Sequence, residues 1–296
     1  MIDRYLLRYF LAIIDQGNFT RAAAQCNVSQ PTLSAGIAKL EATLGCTLFH
    51  RTNRRVSLTA DGVALAGRAR RIEAEFLAAE RETKQADGDP VLRIGILTTI
   101  PGTWIETFVT RLETEGLGGT IELVEGRERE QSERLARGRI DLALTILRGD
   151  TGRMERRPLF SEGYSLATHE GHPLANRPLI DGEDLADNPM IVRRHCELLS
   201  DTSRYFTARG VRPPFPARTT SDDQALRLVR AGLGVTVMPD CFHADGVVRP
   251  RLADFDFTRE IGLLYAPHTD VPQISERPEV TLLAETIERG TVSRAD

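Results

Sequence analysis

The sequence predicts an α/β protein with a winged helix-turn-helix at its N-terminus, and three observations carry that expectation. Between Asn18 and Leu44, two short helical patterns flank a tight turn, Asn27-Val28-Ser29. Residues 47–58 then alternate like a short hairpin with arginines at its tip. From Val91 onward, apolar strands alternate with helical stretches, and the pattern occurs twice, as in a two-lobed α/β domain.

Taken in order, residues 3–16 place Leu6, Leu7, Phe10, Ile13 and Ile14 on one broad face of a helix that ends at Gly17-Asn18. Ala22, Ala23 and Ala24 make the next helix thin enough for close crossing. Ser29 suits an N-cap and Pro31 the first turn of a third helix, where a missing N–H costs nothing. Leu33, Ile37, Leu40 and Leu44 mark that helix's buried stripe. Its opposite face carries Gln30, Thr32, Ser34, Ala35 and Lys39, the small polar surface of a helix that reads a DNA groove. Thr47-Leu48-Phe49-His50 and Arg55-Val56-Ser57-Leu58 form the wing, whose Arg51, Arg54 and Arg55 suit phosphates or a narrow minor groove. Thr59 caps a long helix through about Gln85, with Gly62 tolerated in its first turn. Its seam of Leu65, Ala69, Ile72, Phe76 and Ala79 is expected to pair with a second copy.

Length and charge agree with this division. The 296 residues suffice for two or three domains, and 41% apolar with 27% charged residues describe an ordinary globular chain. Residues 1–65 hold seven basic against four acidic side chains, so a net −4 chain divides into a head of +3 and a body of −7. A basic head on an acidic body fits a small DNA-binding module joined to a domain with another task. No run is long enough to cross a bilayer and no signal peptide precedes the first helix, so a cytoplasmic protein is expected. Cys26, Cys46, Cys196 and Cys241 are dispersed without metal-ligand spacing, as reduced thiols would be.

The second part starts with Val91–Leu97, a near-continuous apolar strand of the kind buried on both faces. A helix to about Glu115, a strand at Thr120–Val124, a helix at Glu128–Arg137 and a strand at Ile140–Ile146 complete one lobe. A weaker copy has strands at Met190–Val192, Phe215–Thr219 and Gly234–Met238, with helices at Ser200–Ala208 and Asp222–Ala231. Glu162–Thr168 and Ile261–Tyr265 are the strands expected to cross between lobes. In such clamshells ligands sit at the carboxyl ends of strands. That places Thr98, Thr99 and Ile100 after the first strand, Thr145 at the third, Arg193, Arg194 and Cys196 after the matching strand of the second lobe, and Ser221 before a helix. Hydroxyls and one of the two arginines at helix N-termini would suit a small anion, while simple capping accounts equally well for the threonines.

Many of these residues recur in a fixed order: Leu7…Phe10, Phe19-Thr20-Arg21-Ala22-Ala23, Val28-Ser29-Gln30-Pro31, Leu33-Ser34, Ile37, Leu40-Glu41, Leu44-Gly45, Leu48-Phe49-x-Arg51 and Leu58-Thr59-x-x-Gly62. Here the chain resembles LysR-type transcriptional regulators. The later marks Gly138-x-Ile140-Asp141-Leu142-Ala143, Pro158-Leu159, His172-Pro173-Leu174-Ala175 and Ala231-Gly232-Leu233-Gly234-Val235…Pro239 extend the resemblance over nearly the whole chain. It implies a winged helix-turn-helix over 1–59, a linker and dimerisation helix over 60–89, and a type II periplasmic-binding-protein-like effector domain over 90–296. Lobe I would take about 90–162 and 266–296, and lobe II about 163–265. It also implies double-stranded DNA, a second copy of the chain (homodimer, then homotetramer) and RNA polymerase as partners, with no membrane, and a small-molecule effector in place of any cofactor or metal. Thr20, Arg21 and Ser29 to Pro31 join the DNA-contacting set. The chain departs from the family habit at Ala35-Gly36 and Ala38, where long polar donors are frequent, which leaves more affinity to the wing.

His195-Cys196 matches a pair carried by peroxide-sensing members, but the following helix, Ser203-Arg204-Tyr205-Phe206-Thr207, lacks their second cysteine. Redox sensing through Cys196, by sulfenic acid or with Cys241, is therefore the alternative to an anionic effector. A further alternative is a solute-binding or enzymatic α/β protein whose N-terminal helices only mediate association. No phosphate loop, G-x-S-x-G or H-E-x-x-H motif points to an enzyme.

Overall fold

The computed structural model describes residues 1–51, 56–84, 91–117, 121–149, 154–267 and 269–292. Two compact units divide the chain. One comprises Met1–Pro90 with Glu133–Arg139 and Ala266–His268; the other comprises Val91–Ser132, Ile140–Tyr265 and Thr269–Asp296.

The first unit opens with α1 (Arg4–Gln16), α2 (Phe19–Gln25) and α3 (Gln30–Leu44). Leu6, Leu7, Phe10 and Ile13 of α1 meet Ala22 and Ala23 of α2 and Leu33, Ile37 and Leu40 of α3 in one core. Leu44, expected to close the stripe, is exposed because it lies in the last turn of α3, past that core. Asn18 caps α2 by accepting from the Thr20 and Arg21 amides, and Ser29 caps α3 by accepting from Thr32 N. The wing follows as β1 (Phe49–Arg51) paired antiparallel with β2 (Val56–Leu58), in the register Phe49↔Leu58. Phe49 anchors it, its ring 5.3 Å from Phe10 and 5.9 Å from Phe19. Arg54 and Arg55 of the expected tip lie outside the described residues, as does the side chain of Arg51.

The long helix α4 (Ala60–Lys84) starts where Thr59 donates its hydroxyl to Thr47 O and accepts from Gly62 N. Gly62 is required there: a Cβ would stand 2.3 Å from the Leu48 carbonyl oxygen. The expected apolar seam of α4 is two faces. Ala69 is buried and Leu65 half-buried against the core of this unit, and Glu73 accepts two hydrogen bonds from Arg4 of α1. Ile72, Phe76 and Ala79 are exposed, with the Arg4 guanidinium 4.7 Å from the Phe76 ring centre. The split arises because α4 lies along α1, so one side of the helix belongs to its own unit.

The second unit has β3 (Leu92–Leu97), α5 (Gly102–Thr114), β4 (Ile121–Gly126), the first part of α6 (Glu128–Ala136), which runs into the first unit at Glu133, and β5 (Leu142–Ile146). Then come the long β6 (Arg156–His169), β7 (Leu179–Ile180), β8 (Ile191–Arg193), α7 (Leu199–Ala208), β9 (Ala217–Thr219), α8 (Asp222–Arg230) and β10 (Thr236–Pro239). The remainder is β11 (Val247–Val248), β12 (Arg251–Leu252), β13 (Thr258–Tyr265), α9 (Val271–Ser275) and α10 (Pro278–Val292). Strands run in the order β10-β6-β13-β5-β3-β4, with β3 parallel to both β4 and β5. The first half of β6 pairs with β13; its second half pairs with β10 and β11, so β6 crosses from one lobe into the other. β13, assigned from sequence to the second lobe, inserts between β5 and β6, so the chain has returned to the first lobe by Thr258. The sequence reading did not single out α10, whose Val280, Leu283 and Ile287 share the core with Trp104, Phe108 and Leu112 of α5.

Candidate functional site

The first candidate surface is the exposed face of α3. Gln30, Pro31, Thr32, Ala35 and Lys39 are exposed and Ser34 half-buried, with Thr20 and Arg21 exposed on α2. Two details change its chemistry. Lys39 Nζ bonds Asp3 at 3.2 Å and the Tyr5 hydroxyl at 3.0 Å, so it already serves α1. Gly36, counted from sequence among the missing donors of the reading face, points inward: a Cβ would lie 2.7 Å from the Tyr9 ring. Glycine there reflects close packing of α1 on α3. Arg21 donates to Gln16 O at 2.7 Å, leaving Gln30 and Thr32 as the polar side chains at the start of α3 with Ser29 as its cap.

The second surface is the seam between lobes, built around Arg259 of β13. Its side chain is 2% exposed. Nε donates to Glu162 Oε1 at 2.8 Å, and Nη1 donates to Thr99 Oγ1 at 2.9 Å and Glu197 Oε1 at 2.6 Å. Nη2 reaches Thr99 O at 2.9 Å and the Cys241 sulfur at 3.4 Å. One guanidinium thus joins the loop after β3, the crossing strand β6 and the loop after β8. Glu197 also accepts from the Tyr164 hydroxyl at 2.6 Å. Burial alone would raise its pKa, but Arg259 and Arg193 more than offset that and hold it below the usual glutamate range. Buried charges persist only when paired and hydrogen-bonded; Glu197 meets this through Oε1, while its Oε2 is buried without a hydrogen-bond partner among the described residues.

A second buried pair lies alongside. Arg193, closing β8, donates from Nε to Asp222 Oδ1 at 2.7 Å and from Nη2 to Asp222 Oδ2; its side chain is 2% exposed. Nη1 donates to Val237 O at 2.9 Å and contacts the Cys196 sulfur at 3.4 Å. Burial pushes the Cys196 thiol pKa up, an effect Arg193 partly offsets. Cys241 is raised further, by burial and by Glu162.

The structure therefore divides the expected effector set. Thr99 and Arg193 join the buried networks. Ser221 caps α8 by accepting from Gln224 N. Thr98 and Thr145 are threonines at strand ends whose hydroxyls are buried without a hydrogen-bond partner among the described residues. Ile100 is packed in the core. Arg194 is exposed, and Arg193, Arg194 and Cys196 line a cavity of about 780 Å³ between the β8–β9 pair and α7. The N-terminus of α5, where an anion was expected, already holds a carboxylate of this chain: Gly102 N donates to Asp223 Oδ2 of α8, in the other lobe, at 3.2 Å. Burial pushes the Asp223 pKa up, and the Gly102 amide offsets part of that.

The sequence reading missed Glu162, Glu197, Asp222, Asp223 and Arg259. A signal existed for two of them. Arg259 shares strand parity with Ile261, Leu263 and Tyr265, and Glu162 with Phe160, Tyr164 and Leu166; a charge in register with a buried apolar face needs a buried partner. Among the described residues no group of three or more His, Cys, Asp or Glu side chains could hold a metal ion, and no helix is long and apolar enough to cross a membrane.

Comparison with known proteins identifies the domains in which the two surfaces lie. The LysR substrate binding domain model matches residues 85–276, and the model of the bacterial regulatory helix-turn-helix protein, lysR family, matches residues 5–63. The chain is 31% identical over 270 residues to the DNA-binding transcriptional dual regulator OxyR of Escherichia coli, covering 88% of each protein. It is 32% identical to a probable hydrogen peroxide-inducible genes activator of Mycobacterium avium, covering 88% of this chain and 86% of that protein. In fold it is similar to a cysteine mutant of Corynebacterium glutamicum OxyR, with a TM-score of 0.54, 25% identity, and 98% of this chain and 92% of that one covered. It is also similar to HinK, a LysR family transcriptional regulator from Pseudomonas aeruginosa, with a TM-score of 0.54, 20% identity and 98% of each covered. The chain belongs to the LysR family of transcriptional regulators.

Proposed function

We propose that this regulator binds a partly palindromic DNA site as a dimer and that a small ligand of its effector unit controls the geometry of that complex. The observation that carries the ligand-controlled half is the Asp223 carboxylate at the N-terminus of α5. A helix N-terminus favours negative charge, and here one lobe supplies that charge to the other. An anionic ligand that takes the place of Asp223, or shifts the Arg259 cluster beside it, changes how the lobes close. Dimerisation through the exposed Ile72, Phe76 and Ala79 of α4 would carry that change to the spacing of two reading helices, and so to DNA bending and contact with RNA polymerase. Gln30 and Thr32 of α3 would read bases, and the wing arginines would hold phosphates. The test is a footprint on DNA selected from a random pool, repeated with fractions of a cellular metabolite extract. A fraction that raises the melting temperature of the protein should alter the footprint, because a ligand that binds only the folded state stabilises it. A footprint unchanged by every stabilising fraction removes the ligand-controlled half.

One observation favours a second reading. The relatives of E. coli O157:H7 and M. avium carry names that make them, or make them probable, hydrogen peroxide-inducible genes activators, and Cys196 of the His195-Cys196 pair lines the cavity between β8–β9 and α7 here. In that reading peroxide oxidises the Cys196 thiol to a sulfenic acid, releasing one water, and α7 offers no cysteine to resolve it. The raised thiol pKa argues for slow reaction, since the thiolate is the nucleophile. A Cys196→Ser variant that keeps the full peroxide response removes this reading.

A further inference from the structure

We infer that the cavity between β8–β9 and α7 is a binding site for an apolar-bodied carboxylate, which makes the effector of the proposed regulator an organic acid held within the second lobe; the inference rests on that ligand-controlled reading. The cavity measures about 780 Å³, within the range that small ligands fill. Leu199, Phe206, Val211 and Phe215 give it an apolar wall suited to a ring or a short chain. Its rim carries Arg194, Arg212 and Arg218, all exposed and none ion-paired to a carboxylate among the described residues. Arg193 lies at the same wall but is already neutralised by Asp222. Against these cations the lining offers one carboxylate, Glu197, and that is committed to Arg259 and Tyr164. Unpaired guanidiniums beside an apolar wall match a molecule with one anionic end and an apolar body, since guanidinium and carboxylate pair by two parallel hydrogen bonds.

The same cavity has a route to the seam. Glu197 lines it, and the carboxylate of Glu197 holds the guanidinium that reaches Thr99 of the first lobe. A ligand that displaces Glu197 slightly therefore loosens or tightens a side chain shared by both lobes.

The experiment uses the full-length protein and four probes: octanoate and phenylacetate, with octan-1-ol and 2-phenylethanol as uncharged counterparts. Titration calorimetry on wild type, on Arg194→Gln/Arg218→Gln and on a cavity-filling Ser203→Trp variant reads the site, and footprinting reads the consequence. At least one carboxylate should bind saturably, more tightly than its alcohol. The double variant should lose about tenfold or more in affinity, as loss of a charge-assisted hydrogen bond implies. Ser203→Trp should abolish binding. Equal affinity of acid and alcohol, binding untouched by both variants, or no saturable binding of any probe overturns the site. If the acid binds as described and the footprint does not move, the site stands and the ligand-controlled reading fails. If a probe moves the footprint while both variants bind it normally, that reading stands and the site is elsewhere.

Discussion

Replacing Asp222 with alanine strands a guanidinium in the interior of the effector unit. Arg193 and Asp222 are 2% and 3% exposed at their side chains, and two of the three Arg193 nitrogens donate to that carboxylate. After the substitution only the Val237 carbonyl and the Cys196 sulfur remain as acceptors. Removing one partner of a buried pair costs about 3–5 kcal/mol, because the other charge stays desolvated. For a unit of this size, that is a fall in melting temperature of roughly 6–20 °C. The control is Arg204–Asp201, where Arg204 is 78% exposed and the loss should stay below about 1 kcal/mol. Replacing both partners with apolar residues, Arg193→Met/Asp222→Leu, should recover most of the stability, since the penalty belongs to the orphaned charge. Urea melts of the full-length variants measure all three. A cost below 1 kcal/mol for Asp222→Ala, or a double variant as unstable as the single one, would refute the view that the pair is dry and mutually dependent.

Four further outcomes follow from the same geometry. Gly36→Ala forces a methyl to 2.7 Å from the Tyr9 ring and should destabilise the helix-turn-helix by about 1–3 kcal/mol, while adding Tyr9→Ala should remove the clash, so that the two effects fail to add in a double-mutant cycle. Glu197 is held below the usual glutamate range in the folded state, so its contribution is present above the unfolded pKa and disappears as pH falls through the folded one; Glu197→Gln should flatten the acid limb of the stability curve and leave neutral-to-basic pH dependence alone, as pH-scanned melts can check. Ile72→Glu/Phe76→Glu, which places charge on the exposed face of α4, should shift sedimentation toward monomer with the helix-turn-helix still folded; an unchanged sedimentation coefficient would remove that face from the dimer. Arg51→Ala/Arg54→Ala should weaken binding to all DNA alike and reduce the salt slope by about two, whereas Gln30→Ala should relax sequence preference.

Legibility in the sequence followed how local the governing physics is. Caps, turns and periodic stripes are local, so α1 to α3, the wing, β3, β5 and the long α4 were all readable in the chain. The roles of Gly36 and Gly62 were not, since the sequence cannot show that Tyr9 lies over one and the Leu48 carbonyl under the other. The effector unit was harder for the same reason. Thr98, Thr99 and Thr145 were expected as ligand groups from their positions at strand ends. What stands between the lobes depends on Arg259, Glu162, Glu197 and Asp223, which come from four separated stretches and meet only after the sheet closes. An effector anion was expected at the start of α5, and in the structure the carboxylate that stands there is Asp223 of the protein itself. Arg193 was expected as a ligand group, yet Asp222 claims it, and among the described residues the cations left open at the cavity are Arg194, Arg212 and Arg218.

The central claim is that closure of the effector lobes sets the geometry of the complex with DNA. Footprinting and bend-angle measurement of Asp223→Ala against wild type, on the same selected DNA, tests it most directly, because that substitution removes the carboxylate one lobe places on the other and touches nothing in the helix-turn-helix. The account predicts a footprint changed in length or bend with the half-site sequence preference preserved. An identical footprint and bend, with the variant folded and bound, would contradict it.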